Sequence, residues 1–223
     1  MDKYKTAIVV QACDKYDWCW EGFYRFFIKH FNQSVNWPVY FYTEEKSFDK
    51  KEFINLKTGK KSYTENFNFI ARSLDFDYLL YFTEETWIRY KLEDELFSKG
   101  LQFCYDEDVD RIGYHSINPQ GSIDTKKTIN DHKIYRIINT HKFGNVIDPG
   151  EPSFWKRDFM IKTSIVPMSI WEFDHHHNNH DLRKREEYPK IYTVDMGEPF
   201  GWFYPVASKG KPNEYYYTMI KDI

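Results

Sequence analysis

The chain has no apolar run long enough to cross a bilayer, and it has few cysteines. Its N-terminal stretch, MDKYKTAIVVQACDKYD, holds only a few consecutive apolar residues. That is too short for the core of a signal peptide and far too short for a membrane span. A cytoplasmic protein is predicted, attached to a membrane at most peripherally. Cys13, Cys19 and Cys104 make an odd set without paired spacing, which argues against a secreted disulfide scaffold and fits a reducing compartment. A basic stripe is missing as well: 31 Lys and Arg stand against 34 Asp and Glu, for a net charge of −3. Without clustered cations to neutralise phosphates, no nucleic-acid partner is expected, whereas a pocket for one diphosphate remains compatible. Internal repeats, low-complexity linkers and a clear domain boundary are also absent. The 223 residues therefore read as one domain.

What the chain has in excess is rings. Eighteen Tyr, 19 Phe and 7 Trp bring aromatics to 20% of the sequence. Such an excess predicts a core built from rings instead of aliphatic side chains, with a few rings left to line a cleft where sugar or base faces can stack.

Hydrophobic patterning predicts strands at 6–12, 39–43, 78–83 and 111–115, with a short one near 135–138. Between them lie helices at 18–31, with Asp17 as N-cap, at 62–74 and at 92–105. Strands alternating with helices imply right-handed crossovers and a mostly parallel sheet. Ligand crevices in such sheets lie outside the carboxyl ends of the strands. Residues 11–16, 43–45 and 83–87 would build that crevice. The Gly- and Pro-bearing stretch 117–153 reads as long binding loops. A nucleotide-binding half (1–115) would then be continuous with an acceptor half (116–223).

Glu84 and Glu85 close the third of these strands. Hard divalent cations such as Mn²⁺ or Mg²⁺ take oxygen ligands, commonly one or two carboxylates plus substrate phosphates, so this is where a metal–diphosphate site would be built. Two solvated glutamates capping the next segment would give the same dipeptide. His175, His176, His177 and His180 offer imidazole ligands or, equally, a hydrated loop. Lys209-Gly210-Lys211 could close over a diphosphate or stay a solvated basic loop.

Five segments occur in a telling order: Asp14-Lys15-Tyr16, then Trp20 to Tyr24 (WEGFY), Asp77 to Trp87 (DYLLYFTEETW), Pro152 to Met160 (PSFWKRDFM) and Ser169 to Asp174 (SIWEFD). Together they resemble small GT-A glycosyltransferases of surface-polysaccharide gene clusters, some viruses and phages. Those proteins carry a D-x-Y turn, a W-x-x-F-F/Y helix, a strand ending in Q-E-D, a P-S-x-W segment and an S-x-W-x-F-E segment. The resemblance covers about residues 6–175. It implies an α/β fold with a GT-A-like mixed, mostly parallel sheet flanked by helices. It also implies transfer of a sugar from a nucleotide-sugar to a glycan or glycoconjugate acceptor, in polysaccharide biosynthesis.

Carried over residue by residue, the resemblance implies that Gln11, Ala12, Cys13, Asp14 and Tyr16 hold the base and ribose. Thr83 and Glu84 would contact the donor, while Glu85, with a late histidine such as His175, would hold Mn²⁺ or Mg²⁺. Thr83 replaces the family's Gln, and the second acid is Glu instead of Asp. On the helix at 62–74 the expected Trp and Arg are Tyr63 and Asn66, leaving Arg72 or Lys61 for the diphosphate. Asp174 is implied as the base that deprotonates the acceptor hydroxyl, with Glu172 as alternative; an N-cap role for Asp174 is the structural alternative. Trp155 would begin a helix packed on the sheet or form the acceptor floor. Two rival readings are a non-catalytic nucleotide-sugar or glycan-binding module and a metal-dependent hydrolase built on the histidines. A modified DNA base is a further acceptor type, disfavoured by the near-neutral charge.

Overall fold

A computed structural model describes residues 5–31, 33–115, 121–140, 150–177, 189–197, 202–208 and 210–222. His180 and Lys209 lie outside them. The strands are β1 (Thr6–Gln11), β2 (Val39–Thr43), β3 (Ile54–Lys57), β4 (Tyr78–Thr83), β5 (Thr86–Ile88), β6 (Arg111–His115) and β7 (Ser122–Ile129). They continue with β8 (His132–Ile137), β9 (Ser153–Lys156), β10 (Ile191–Asp195), β11 (Phe203–Pro205), β12 (Ala207–Ser208) and β13 (Lys211–Pro212). The helices are α1 (Asp17–His30), α2 (Tyr63–Ser73), α3 (Leu96–Glu107), α4 (Arg157–Thr163), α5 (Ile170–His177) and α6 (Glu214–Met219).

Nine strands form one sheet in the order β3-β2-β1-β4-β9-β6-β10-β8-β7. Following the pairings from β1 outward, only β8 and β9 run against the other seven. The sheet is thus mixed and mostly parallel. Successive side chains on a strand point to opposite faces, and the core divides accordingly. Ile8, Val10, Leu80 and Phe82 face α1 and α3, whereas Ala7, Val9, Leu79 and Tyr81 face α2, α4 and α5.

Rings fill both layers. Phe41 and Phe53 stack with centroids 5.4 Å apart, and Phe67 meets Tyr81 and Trp155 edge-on at 5.3 and 5.0 Å. Burying one such ring stabilises by roughly 1.5–3 kcal/mol. Gly22 on α1 exists for one of them. A Cβ there would lie 2.0 Å from the Trp87 ring, which is fully buried. Gly22→Ala is expected to lower stability by about 1–3 kcal/mol through overpacking, although alanine favours a helix over glycine by about 1 kcal/mol. The check is the urea midpoint at unchanged slope; an unaltered or raised midpoint would show that the Trp87 contact yields freely.

Two expectations need correction. The short strand expected near 135–138 is the end of β8, but the residues before it are not loop: β7 and β8 pair as an antiparallel hairpin with a register shift between Asp124 and Thr128. Trp155 does not begin a helix but sits in β9, sandwiched antiparallel between β4 and β6. Strand β9 enters the sheet between earlier strands, and β11 pairs with β5. Tyr216 of α6 then packs its ring against Trp18 and Trp87.

Candidate active site

The strands β1, β2 and β4 run parallel and end level, so Gln11, Tyr42 and Thr83 share one rim. Outside that rim lies a cleft of about 540 Å³. Its floor is made by Gln11, Ala12, Cys13, Thr83, Glu84 and Glu85, with Tyr16 and Glu44 beside them. One wall comes from the start of α2 (Lys61, Ser62, Tyr63, Asn66) and another from the start of α5 (Ser169, Ile170, Trp171, Asp174). Gly150, Ala207 and Ser208 complete it.

Both wall helices begin with the same device. Ser62 accepts from the N–H of Glu65 while Glu65 accepts from the N–H of Ser62. Ser169 and Glu172 do likewise, at 3.3 and 2.7 Å. Each capping box satisfies two N–H groups that a helix start leaves open, and it aims the positive end of the helix dipole at the cleft. Phe173, fully buried against Tyr63 and Phe67, fixes the rotation of α5 and leaves Asp174 on the cleft side.

The floor is acidic. Glu84 is only 4% exposed, and its Oε1 accepts the N–H of Cys13 at 2.8 Å. Burial raises its pKa to about 8, against the pull of that hydrogen bond and with help from the nearby Glu85 and Glu44 carboxylates. At neutral pH Glu84 is therefore largely a neutral carboxylic acid. Burial also pushes the Cys13 thiol up to about 11, so it is no nucleophile at neutral pH. The Tyr16 hydroxyl is raised by burial and by Glu85. Among the described residues lining the cleft, Lys61 carries the one positive charge. Its ammonium bonds the Thr58 carbonyl and lies 4.9 Å over the Phe69 ring.

Neutral polar groups also face the cleft. Tyr81 donates to Gln11 Oε1 at 2.7 Å, leaving the Gln11 amide N–H groups for a ligand. Asn66 is 8% exposed, and its Oδ1 has no hydrogen-bond partner. A buried acceptor without a donor is costly, and a bound ligand is one remedy. The turn after β4 is pinned from both sides. Thr83 and Thr86 hydroxyls lie 3.1 Å apart, Thr86 bonds the Gly150 carbonyl, and the N–H of Val206 donates to Glu85 O at 2.8 Å.

Of the sequence-predicted residues, Gln11, Ala12, Cys13, Tyr16, Thr83, Glu84, Glu85 and Asp174 converge on this cleft. Five others do not. The Asp14 carboxylate turns back to accept the N–H groups of Glu44, Glu45 and Lys46, so it shapes the loop after β2. Arg72 sits ten residues beyond Ser62 on α2, roughly 15 Å along the axis, and bonds Asn68; Lys61 is the cation that reaches the cleft. Glu172 is taken up in its capping box. His175 is exposed and does not join Glu85 at the cleft. Trp155 is 0% exposed, its Nε1 donating to Ser153 Oγ at 2.9 Å and its ring under the Arg111 guanidinium, so an acceptor cannot touch it. Sequence reasoning missed Trp171, Ser169, Gly150, Ala207 and Ser208. Only the S-x-W segment gave any hint of the first two.

Among the described residues, no three His, Cys, Asp or Glu side chains gather as a metal site. Glu85 and, once ionised, Glu84 are the carboxylates at the β4 turn. That suits a cation held chiefly by a ligand's own phosphates and water, not an all-protein cage.

No protein-family model matches the sequence, and no curated protein matches it. Similarity appears at the level of structure. S. aureus TarS residues 1–349, solved in complex with UDP-GlcNAc, superposes with a TM-score of 0.57 at 10% identity over 93% of this chain. HddC from Yersinia pseudotuberculosis gives 0.52 at 10% identity over 98% of this chain and 100% of its own. The chain spans 60% of TarS 1–349 and 38% of the longer TarS structure. These likenesses, with the sheet order and flanking helices, make the fold GT-A-like, a single mixed, mostly parallel α/β domain.

Proposed function

We propose that this protein is a glycosyltransferase that moves a sugar from a nucleotide-sugar onto a glycan or glycoconjugate. The observation that carries the proposal is the cleft itself. It lies at the carboxyl ends of parallel strands, between two capped helix starts, with carboxylates on its floor and Asp174 on the facing wall. The fold likeness to TarS, which was solved with UDP-GlcNAc, supports a nucleotide-sugar as the donor.

In this reading Gln11 to Cys13 receive the base and ribose, and Lys61 with the start of α2 balances the diphosphate. Glu84, kept neutral by burial, avoids adding a second negative charge beside it. A divalent cation such as Mn²⁺ would sit by Glu85 and supply charge stabilisation for the leaving diphosphate. Asp174 takes the proton of the acceptor hydroxyl as it attacks the anomeric carbon.

The test is a thermal-shift panel of UDP-, GDP- and dTDP-sugars with and without Mn²⁺, coupled to a nucleotide-release assay. A raised melting temperature with at least one donor, and nucleotide release in the presence of acceptor, are expected. Neither binding nor release across the panel would sink the reading.

A further inference from the structure

The seven tryptophans fall into two groups. Trp18, Trp20, Trp37, Trp87, Trp155 and Trp202 each pack against another ring. Trp171 makes no ring contact and no hydrogen bond among the described residues, and 71% of it is exposed. An indole left in water forgoes the burial that tryptophan ordinarily contributes. It is nonetheless held in place. Ser169 caps the helix start just before it, and Phe173, two residues on, is buried in the opposite direction. The loop leading to it is tied to α2: the Thr64 hydroxyl donates to Val166 O at 2.8 Å and accepts the N–H of Met168 at 2.7 Å.

Trp171 and Asp174 stand three residues apart on α5, so both reach the same cleft from one helix face, with Cβ atoms roughly 5–6 Å apart. We infer that Trp171 is the acceptor platform: the apolar face of a pyranose ring stacks on the indole, which turns one of its hydroxyls towards Asp174. A flat exposed ring beside a proton acceptor suits a carbohydrate, which offers an apolar ring face and hydroxyl edges together. Ile165 and Val166 are also exposed, at 70% and 57%, but they do not line the cleft, so a lipid surface is the weaker match. The inference rests on the glycosyltransferase reading and deepens its acceptor side.

The experiment compares wild type, Trp171→Ala and Trp171→Phe on a glycan array in the presence of UDP, with UDP binding followed separately by calorimetry. Wild type is expected to bind a subset of glycans. Trp171→Ala should weaken that binding about tenfold or more, Trp171→Phe should recover much of it, and UDP affinity should stay within about twofold throughout. Where a transfer assay is established, the same loss should appear in the acceptor KM and not in the donor KM. Glycan binding by Trp171→Ala at wild-type strength would overturn the platform. So would a wild type that binds UDP but no glycan, or a Trp171→Ala effect seen only in sedimentation with phospholipid vesicles. A wild type that binds no nucleotide at all would instead defeat the glycosyltransferase reading.

Discussion

Replacing Asp174 by asparagine is expected to lower kcat for glycosyl transfer by about 10²–10⁴-fold, the usual contribution of a positioned general base. The amide keeps the size of the carboxylate but accepts no proton. Asp174 lies on the α5 wall, across the cleft from the floor at the ends of β1 and β4, so donor affinity should remain close to wild type. Single-turnover rates and calorimetric donor binding, measured on the same preparation, separate the two effects. The neighbouring acid is the internal control. Glu172→Gln changes a side chain that caps α5, and a glutamine can still close the capping box, so it should leave both the fold and turnover nearly intact. The opposite ranking, with Glu172 essential and Asp174 dispensable, would move the base to Glu172. A protein that binds donor in every variant and turns over in none, wild type included, would be the non-catalytic module instead.

Asp174 is singled out by the resemblance and the structure brings it to the cleft, whereas Trp155 misleads as a matter of period and burial. Apolar runs such as Ala7 to Val10 and Leu79 to Phe82 are strands buried on both faces, and their polar ends mark the rim without further information. Helices α1 and α2 carry 3.6-residue periodicity, and α2 also has its Ser62–Glu65 box, so both could be placed closely. Strand β9 could not, because Ser153–Lys156 is four residues long and runs straight into α4. Trp155 therefore read as the start of a helix, when the sheet had taken it as core. On α5 the motif SIWEFD carries two acids and two rings. Only the helical rotation decides that Trp171 and Asp174 face the cleft while Phe173 is buried, and that rotation is set by Tyr63 and Phe67 from a distant part of the chain. The β11 to α6 segment escaped for the same reason. Its contacts with Thr86 to Ile88 and Trp18 are long-range, and nothing local announces them.

Glu84 allows a test that needs no substrate. In the unfolded chain its pKa is near 4.5, and in the fold it is about 8. Because the folded value is raised, the folded protein holds a proton that the unfolded chain releases. The Glu84 contribution is fully present below about pH 4.5 and is lost as pH rises towards 8, at about 1.4 kcal/mol per pH unit. Other groups narrow the useful window. Burial lowers the pKa of His30, which makes acidification below about pH 6.5 destabilising and works in the opposite sense. Cys13 and Tyr16 are raised, and they titrate above pH 8. Between pH 6.5 and 8 wild type should therefore lose on the order of 2 kcal/mol to Glu84 alone. Glu84→Gln should flatten that stretch of the curve, since the amide oxygen can still accept the Cys13 N–H while carrying no charge. Denaturant midpoints at half-unit pH steps give the comparison, and parallel curves for the two proteins would mean that Glu84 is ionised in the fold. The same variant bears on the ligand. If a neutral acid is what the diphosphate tolerates at the end of β4, Glu84→Gln should bind nucleotide-sugar at pH 8 at least as well as wild type. A requirement for the ionised form would appear as binding lost in the variant and improved in wild type as pH rises.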